Sequence, residues 1–517
     1  MRYTFRLVLL FFFFVANSAP AQITSDILRK FINDGKHLDR LNLSDKKGVQ
    51  QFYASMNYSP AWVFREENTK TLILILRTAE RRGLLEQDYQ YNFVNTLSAY
   101  PSVMWSAEDS ILADIKFSDA AIHFFSDIVY GNTKPALGYY GIDYIPDCYS
   151  IPSMVADYCK KNQLYELLTF LEFSLPEVKI IGQKIAGIKE ILKNEDYKEE
   201  KITSAVANIK NNPLLKKLYF LGITDSVNIT ADTVLKRKMK EAQRQFNLLA
   251  DGVLRKTFLE ELNVPLSARV HQLELSVNYY RWLSCLSKRQ PVVVVNIPAA
   301  YLKVYHNDTV VIEMRMIVGK PSTPTPTFSS TINEVILYPY WVVPHSIIAK
   351  EWLPAVKRNI GYIEANNFQV INSQGKIIDP YKVDWQSLNA STFPYIIRQS
   401  TGCDNALGLI KLNFYSPFGV YLHDTPDKSL FMLNKRYFSH GCMRMENPLQ
   451  LGHLILKNNP IAIDTLEEKG CLLNQFPVPV PADVQMPVIV WYNPAGVDST
   501  GRVIYYEDVY KKLKWIK

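Results

Sequence analysis

The chain has 517 residues, of which 48% are hydrophobic and 12% aromatic, and this length allows roughly two to four domains with separate cores. The formal net charge of +8 comes from 58 basic and 50 acidic residues interleaved along the sequence, which argues against a nucleic-acid-binding protein with a concentrated basic stripe. Six cysteines are too few for a fold built on disulfides.

Residues 1–21 have the pattern of a secretory signal peptide. Arg2 and Arg6 precede an apolar run at 7–16, and the small residues Ala-Pro-Ala end at Ala21. The apolar run is shorter than the roughly 20 residues of a membrane-spanning helix. We therefore expect cleavage after Ala21 and export to the periplasm or cell envelope, with the membrane only a transient export route. A retained anchor helix is the alternative.

Residues 22–195 are predicted to form a helical scaffold domain. The stretch "TLILILRTAERRGLL" has helical spacing of apolar side chains and reaches Gly83, where we expect the helix to end. No cluster of acids, histidines or cysteines in this region would support chemistry. Cys148 and Cys159 are near enough in sequence to form a disulfide after export.

Residues 196–289 are predicted to form a small helical module and a linking helix. Residues 232–263 place apolar side chains at helical spacing, break at Asp251-Gly252, and resume as a second helix. A further helix, "SARVHQLELSVNYYRWL", follows this hairpin. The pattern suits a generic structural hairpin as well as a binding module.

Strands replace helices in the last part of the sequence. "PVVVVNIP" has the composition of a buried strand, and the even-numbered residues from Val310 to Val318 form an apolar face at period two. We expect a mostly β domain at 290–475, with an inserted lid at about 345–395. Strands at 476–517 would complete this domain or pack on it. The predicted fold class is therefore α+β multidomain.

Two short motifs in the β domain hold the residues with catalytic potential. "GVYLHDTP" places His423 at the end of a strand, and "SHGC" places Cys442 19 residues later. A cysteine attacks as its thiolate, so it needs a neighbouring base, and His423 is the candidate. Gly441 would let backbone N–H groups approach an oxyanion, and Arg444 would face a carboxylate or a developing negative charge.

The residues alone leave four interpretations of Cys442 open. It is a nucleophile paired with His423, a zinc ligand together with His423 and His440, a buried core residue, or half of a disulfide with Cys403. No Cys-x-x-Cys motif completes a zinc site, and "SHGC" is more polar than a typical core strand. We favour the nucleophile, without a metal or a cofactor.

Three sets of residues resemble a known family. "HDTP" followed by "SHGCMRMENP" resembles the signature of the L,D-transpeptidases, whose catalytic domain is the mostly β YkuD fold. "NALGLIKLNF" and "YSPAWVFR" resemble the large scaffolded subgroup from Gram-negative envelopes, which also has a lid insertion. The hairpin at 232–263, with Gln245-Phe246, Asp251-Gly252 and Thr257, resembles a peptidoglycan-binding module.

The resemblance implies acyl transfer on peptidoglycan stem peptides. Cys442 would attack a stem tetrapeptide and expel D-alanine, while His423 moves the proton and a backbone carbonyl beside Asp424 orients the imidazole. A second stem would then resolve the thioester into a 3→3 cross-link. The residues expected to position substrate or the oxyanion are Ser439, His440, Gly441, Arg444, Tyr421 and Trp341.

The same resemblance leaves alternatives for the reaction. Water would make the protein an L,D-carboxypeptidase, and another amine would attach a different acceptor to peptidoglycan. A non-catalytic wall-binding protein is the alternative from a different class. The family also implies that carbapenem β-lactams acylate Cys442, and it implies no nucleic-acid partner.

Overall fold

The computed structural model describes residues 23–98, 106–172, 175–195, 197–203, 212–229, 231–459, 463, 466 and 468–513. The predicted signal peptide lies outside these residues. The chain divides into two compact units. The N-terminal unit comprises 1–80, 84–128 and 149–173, and the C-terminal unit comprises 81–83, 129–148 and 174–517. None of the helices within the described residues has the length and hydropathy of a membrane span.

The N-terminal unit is helical. Its helices are α1 (Ser25–Asn33), α2 (Gly35–Asp39), α3 (Lys46–Ser55), α4 (Glu66–Leu76), α5 (Tyr91–Ser98), α6 (Ala107–Tyr130), α7 (Ile151–Lys161) and α8 (Leu164–Leu171). The predicted helix end at Gly83 is wrong for α4, which stops at Leu76 before a 3₁₀ helix at Ala79–Arg82. The hydroxyl of Thr78 donates to the carbonyl of Ile75 at 2.6 Å and competes with the helical bonding pattern.

A buried carboxylate organises the centre of this unit. Asp114 accepts hydrogen bonds from the N–H groups of Ala61, Trp62 and Val63 and from the hydroxyl of Tyr53. Burial raises the pKa of Asp114, and these four donors oppose that effect. The loop sequence "SPAW" is therefore fixed around one side chain of α6.

The remaining helices belong to the C-terminal unit. They are α9 (Pro176–Lys193), α10 (Asn212–Phe220), α11 (Asp232–Gln245), α12 (Lys256–Leu262), α13 (Leu266–Arg289), α14 (His345–Ile347), α15 (Leu353–Arg358), α16 (Tyr362–Ala365) and α17 (Pro448–Ile455). The predicted hairpin is α11 and α12. The side chain of Gln243 stabilises the turn between these two helices. Its amide nitrogen donates to Asp251 Oδ1 at 2.9 Å, and its amide oxygen accepts from the Gly252 N–H at 2.7 Å.

Sixteen strands follow one another in the described part of the C-terminal unit. They are β1 (Tyr139–Tyr140), β2 (Val292–Asn296), β3 (Tyr301–His306), β4 (Thr309–Gly319), β5 (Phe328–Leu337), β6 (Trp341–Val342), β7 (Phe368–Ile371), β8 (Ile377–Ile378), β9 (Ile396–Gln399), β10 (Ile410–Asn413), β11 (Leu422–His423), β12 (Tyr437–Ser439), β13 (Met443–Met445), β14 (Val478–Trp491), β15 (Ala495–Val497) and β16 (Val503–Tyr505).

Eight of these strands form a closed sheet. The order is β5-β10-β11-β13-β4-β3-β2-β14, and the pairing of β14 with β5 closes the ring. β1 and β12 add to it in parallel along β5 and β4. Four of the five alternating residues predicted in β4 are buried, but Val310 is 37% exposed, because it lies at an irregularity in the β3–β4 register.

The predicted lid is an inserted subdomain with its own core. Strands β6 to β9 form a separate four-stranded sheet, and α14 to α16 lie between β6 and β7. A π-helical turn at Ile348–Trp352 joins α14 to α15. Trp352, Trp385 and Ile397 are buried in the core of this subdomain. Together with the helical N-terminal unit and the closed sheet, this arrangement confirms the α+β multidomain fold class.

The Cys148–Cys159 disulfide that the sequence allows is not formed. Cys148 is bonded to Cys285 of α13, with a Cα–Cα distance of 5.6 Å and a sequence separation of 137 residues. Cys159 is a free thiol buried in α7. Nearness in sequence misled the prediction, because the chain folds back so that the segment after β1 meets α13.

The disulfide can be tested by peptide mapping and by unfolding. Non-reducing digestion should yield a peptide that links Cys148 to Cys285. Replacing both residues with alanine should lower the free energy of unfolding by roughly 2–5 kcal/mol, because a long loop in the unfolded chain is no longer closed. Cys471→Ser, which removes an exposed free thiol, is the control and should change little. A peptide linking Cys148 to Cys159 would contradict this connectivity.

Candidate active site

The register of three neighbouring strands places the candidate residues on one face of the sheet. Lys411 of β10 pairs with His423 of β11, and His423 lies beside Arg444 of β13. Residues two apart on a strand share a face. Tyr421 therefore lies on the face of His423, and Cys442, which precedes β13, lies on the face of Arg444.

His423 is held in one tautomer. Its ring is buried, and Nδ1 lies 2.5 Å from the carbonyl oxygen of Asp424. Since a carbonyl only accepts, Nδ1 carries the proton and Nε2 has a free lone pair. Burial lowers the pKa of His423 to about 3, and the positive charges of Arg444 and Lys411 act in the same direction. The imidazole is therefore neutral at neutral pH and able to accept a proton.

Hydrogen bonds to the carboxylate of Asp424 hold this arrangement in place. One carboxylate oxygen accepts from the N–H of Leu409 at 2.9 Å, and the other accepts from Lys428 Nζ at 2.6 Å. Gly408 has φ +60°, and a Cβ atom at this position would lie 2.2 Å from Asp424 Oδ2. Only glycine lets the backbone approach Asp424 this closely. This contact gives the "NALG" motif a structural role in positioning His423.

The Cys442 thiol is half-buried, and Tyr421 lies beside it. The backbone N–H and the hydroxyl of Tyr421 and the charges of Lys411 and Arg444 favour the thiolate, but desolvation outweighs them and raises the pKa of Cys442. At neutral pH the thiol keeps its proton.

Lys411 is a site residue that the sequence prediction missed. Its ammonium lies 4.4 Å from the centre of the Tyr421 ring, and burial lowers its pKa. Its positive charge and that of Arg444 favour the thiolate form of Cys442. The signal was present in "LIKLNF": Ile410 and Leu412 point into the core, so Lys411 points to the opposite face.

The "SHGC" loop is braced by Ser439. Its hydroxyl donates to the carbonyl of Cys442 at 2.5 Å and accepts from the N–H of Gly441 at 3.1 Å. Gly441 has φ +119°, a conformation that favours glycine. The Gly441 N–H is therefore not available as an oxyanion donor in this conformation, whereas the N–H of Cys442 has no acceptor among the described residues.

The inserted subdomain contacts this loop. His440 Nε2 lies 2.7 Å from Glu351 Oε1 in the π-helical turn, and both side chains are accessible to solvent. Trp341, at the start of the subdomain, is half-buried beside Tyr421. The subdomain therefore approaches the surroundings of Cys442 at two points, where Glu351 pairs with His440 and where Trp341 lies beside Tyr421.

The remaining cysteines do not compete for Cys442. Cys403 and Cys442 are both free thiols, so the conceivable disulfide between them is not formed. Cys403 lies beside Cys471 instead, and their hydrogen bond raises the pKa of Cys403. Within the described residues, no group of three or more His, Cys, Asp or Glu side chains is arranged to hold a metal ion.

Two family models match the chain. Residues 290–463 match the YkuD model, described as the L,D-transpeptidase catalytic domain, and residues 47–177 match a scaffold-domain model. A curated Haemophilus influenzae protein, whose name marks it as a candidate L,D-transpeptidase, is 34% identical over 216 residues. This match covers 42% of the chain and 43% of the relative's own length.

Two solved structures are also similar. One is an L,D-transpeptidase from Mycobacterium smegmatis and the other is an L,D-transpeptidase in complex with imipenem. Each is 17% identical, covers 39% of this chain and 58% of the solved chain, and has a TM-score of 0.18. TM-scores this low support no argument about the site.

The mostly β domain places Cys442 and the neutral imidazole of His423 on one sheet face. The match of residues 290–463 to the YkuD model gives the class of this domain. The chain carries a catalytic domain of the YkuD L,D-transpeptidase family, together with an N-terminal scaffold domain.

The charge state of the site can be tested by alkylation. Since burial raises the pKa of Cys442 above its usual value of 9.0, the thiolate forms only as the pH rises through that raised value. The rate of iodoacetamide labelling at Cys442, followed by peptide mass spectrometry, should therefore climb into the alkaline range. Lys411→Met should move the midpoint to higher pH, because a cation that favours the thiolate is lost.

Lys376→Met is the matched control, because Lys376 is exposed in the inserted subdomain. It should leave the midpoint unchanged. A labelling plateau near neutral pH would indicate a preformed thiolate and contradict the assigned charge state, as would an unchanged midpoint in Lys411→Met.

Proposed function

We propose that the protein is a cysteine-dependent L,D-transpeptidase that forms 3→3 cross-links in peptidoglycan. The observation that carries this proposal is the shared sheet face of Cys442 and His423, within a domain of the L,D-transpeptidase family. The free Nε2 lone pair of His423 and the two adjacent cations supply what a thiol needs in order to attack a carbonyl group.

The first half-reaction is acylation of Cys442. The sulfur attacks the carbonyl of the third residue of a stem tetrapeptide, and its proton passes to Nε2 of His423 as the C–S bond forms. The resting thiol is protonated, so negative charge develops on the sulfur only during attack. The positive charges of Lys411 and Arg444 stabilise that charge. His423 then gives the proton to the leaving amine, the C–N bond breaks, and D-alanine departs.

The oxyanion needs hydrogen-bond donors that are not already bonded to other groups within the resting loop. The Cys442 N–H meets this requirement, whereas the Gly441 N–H is bonded to Ser439. Ser439 therefore acts by shaping the loop, while Tyr421 and Trp341 form the wall beside the sulfur. His440 and Glu351 provide polar groups where the inserted subdomain meets the loop.

The second half-reaction resolves the thioester. The side-chain amine of a second stem attacks the acyl carbon, and His423 accepts the amine proton. The C–S bond then breaks, and His423 passes this proton to the departing sulfur, which restores the thiol and the neutral imidazole. If water attacks instead, the product is a tripeptide, so an L,D-carboxypeptidase is the alternative reaction. Another amine acceptor would attach a different molecule to peptidoglycan, and a non-catalytic wall-binding protein would form no thioester.

The place of action and an inhibitor class follow from the same proposal. The signal-peptide pattern at 1–21 supports export, and the periplasm or cell envelope is where a peptidoglycan substrate is found. A carbapenem presents a strained carbonyl to the same sulfur and would leave a stable acyl-thioester on Cys442.

The reaction can be tested with purified protein and disaccharide tetrapeptide, with products followed by mass spectrometry. We expect a cross-linked dimer whose mass equals two substrates minus one D-alanine. Cys442→Ser should reduce its formation by at least roughly a hundredfold, because the nucleophile is lost. Cys471→Ser is the matched control and should retain activity. Tripeptide alone would support the carboxypeptidase, and no product from a folded protein would refute both reactions.

A further inference from the structure

Two chain connections join the inserted subdomain to the closed sheet, and both lie against the same segment. The first connection, 338–340, leads from β5 to β6, and the second connection, 400–409, leads from β9 to β10. The segment is 468–475, which lies between α17 and β14 and which we call the bracing segment. The hydroxyl of Tyr340, in the first connection, donates to the carbonyl of Gln475 at 2.9 Å.

The second connection is held along the bracing segment by side-chain hydrogen bonds. Ser400 Oγ accepts from the N–H of Asn474 at 3.2 Å. Thr401 Oγ1 accepts from the N–H of Gln475 at 2.9 Å and donates to the carbonyl of Leu472 at 3.3 Å. These bonds fix the residues just before position 403 and just after position 471.

A pair of thiols lies where these two stretches of chain meet. Cys403 and Cys471 are both free and exposed. Gly402 lies directly against the bracing segment, since a Cβ there would be 2.8 Å from Leu473 Cδ2. Contact with the Cys471 thiol is the main cause that raises the pKa of Cys403. The two sulfur atoms are therefore neighbours on an accessible surface, which is what a disulfide between them requires.

The other two free thiols are less accessible. Cys159 is buried in α7, and Cys442 is half-buried. Exchange with a small disulfide requires that the reagent reach the attacking thiol. Cys403 and Cys471 are therefore the positions at which such a reagent reacts most readily.

We propose that Cys403 and Cys471 are a modification site at which a reversible disulfide links the second connection to the bracing segment. The oxidant is a low-molecular-weight disulfide. One protein thiolate attacks a sulfur of this oxidant, releases one thiol and leaves a mixed disulfide on the protein. The second protein thiolate attacks the protein sulfur of the mixed disulfide and releases the second thiol. The two protein thiols thus lose two electrons and two protons, and the oxidant gains them.

The disulfide restrains the inserted subdomain at both of its connections. In the thiol form the second connection is held by hydrogen bonds and packing, which open and close locally in a native protein. Asn405 ties this connection to the first one, because its Nδ2 donates to the carbonyls of Pro339 and Ser400 at 3.1 and 2.8 Å. A covalent link at Cys403 therefore limits the motion of both connections.

The same restraint affects the candidate active site. Glu351 of the inserted subdomain contacts His440, which lies two residues before Cys442. A subdomain that moves less admits a polymeric substrate to Cys442 more slowly, so we expect slower turnover in the disulfide form. This expectation rests on the proposed function, whereas formation of the disulfide does not.

The test exposes the whole protein to buffers with different ratios of reduced to oxidised glutathione. Free thiols are then alkylated, and peptides from a non-reducing digest are mapped by mass spectrometry. We expect a peptide pair linked through Cys403 and Cys471, lighter by two hydrogen atoms than the separate thiol peptides, which reduced dithiothreitol should remove. Hydrogen–deuterium exchange within 400–409 should slow by at least roughly tenfold in the linked protein, because the disulfide suppresses separation of the two segments.

Cys471→Ser and Cys403→Ser are the matched controls, since each keeps one thiol and cannot form the link. Both positions are exposed, so both variants should fold. Oxidised glutathione should leave their exchange within 400–409 unchanged. The same variants correct for modification of Cys442: under oxidation, turnover of disaccharide tetrapeptide should fall further in the unchanged protein than in Cys471→Ser.

Glutathione attached separately to both cysteines, or no link at the most oxidising ratio, would overturn the disulfide. A link that leaves either exchange or turnover equal to that of Cys471→Ser would overturn the restraint on the subdomain. Product formation by the reduced protein is measured on the same preparations. A protein that is active when reduced but forms no link refutes this inference alone. A protein that forms the link but makes no product when reduced refutes the proposed function alone.

Discussion

The register of β10, β11 and β13 is the constraint on which the candidate site depends. Side chains alternate along a strand, so a slip of one residue would turn Lys411, His423 and Arg444 to the opposite face. The core prevents this slip, because Leu412, Leu422 and Met443 are completely buried on the other side of the same strands. Hydrophobic packing inside the closed sheet thus fixes the geometry of the polar groups outside it.

Burial then decides the charges within the site. It lowers the pKa of His423 and raises that of Cys442, so the resting pair is a neutral imidazole and a neutral thiol. The positive charges of Lys411 and Arg444 lower the pKa of the His423 imidazole and favour the thiolate form of Cys442. These charges therefore act mainly when negative charge develops on the sulfur during attack. A protonated, half-buried thiol also resists oxidation better than an exposed thiolate.

Much of this organisation could be predicted from local sequence pattern. Helical spacing identified the α11–α12 hairpin, period two identified β4, and the His423 and Cys442 motifs identified two neighbours on one sheet face. Features that depend on distant chain segments could not be predicted in this way. The Cys148–Cys285 bond and the Glu351 contact with His440 each require the tertiary fold. Lys411 is an intermediate case. Alternation along β10 predicts the sheet face on which its side chain lies, but no spacing rule predicts that it lies near Cys442.

The central claim is that Cys442 is the nucleophile, and intact-protein mass spectrometry after incubation with imipenem tests it most directly. The account predicts one added imipenem mass, located on the Cys442 peptide, that is lost in Cys442→Ala and retained in Cys471→Ser. A folded protein that gains no mass, or an adduct that persists in Cys442→Ala, would contradict the account.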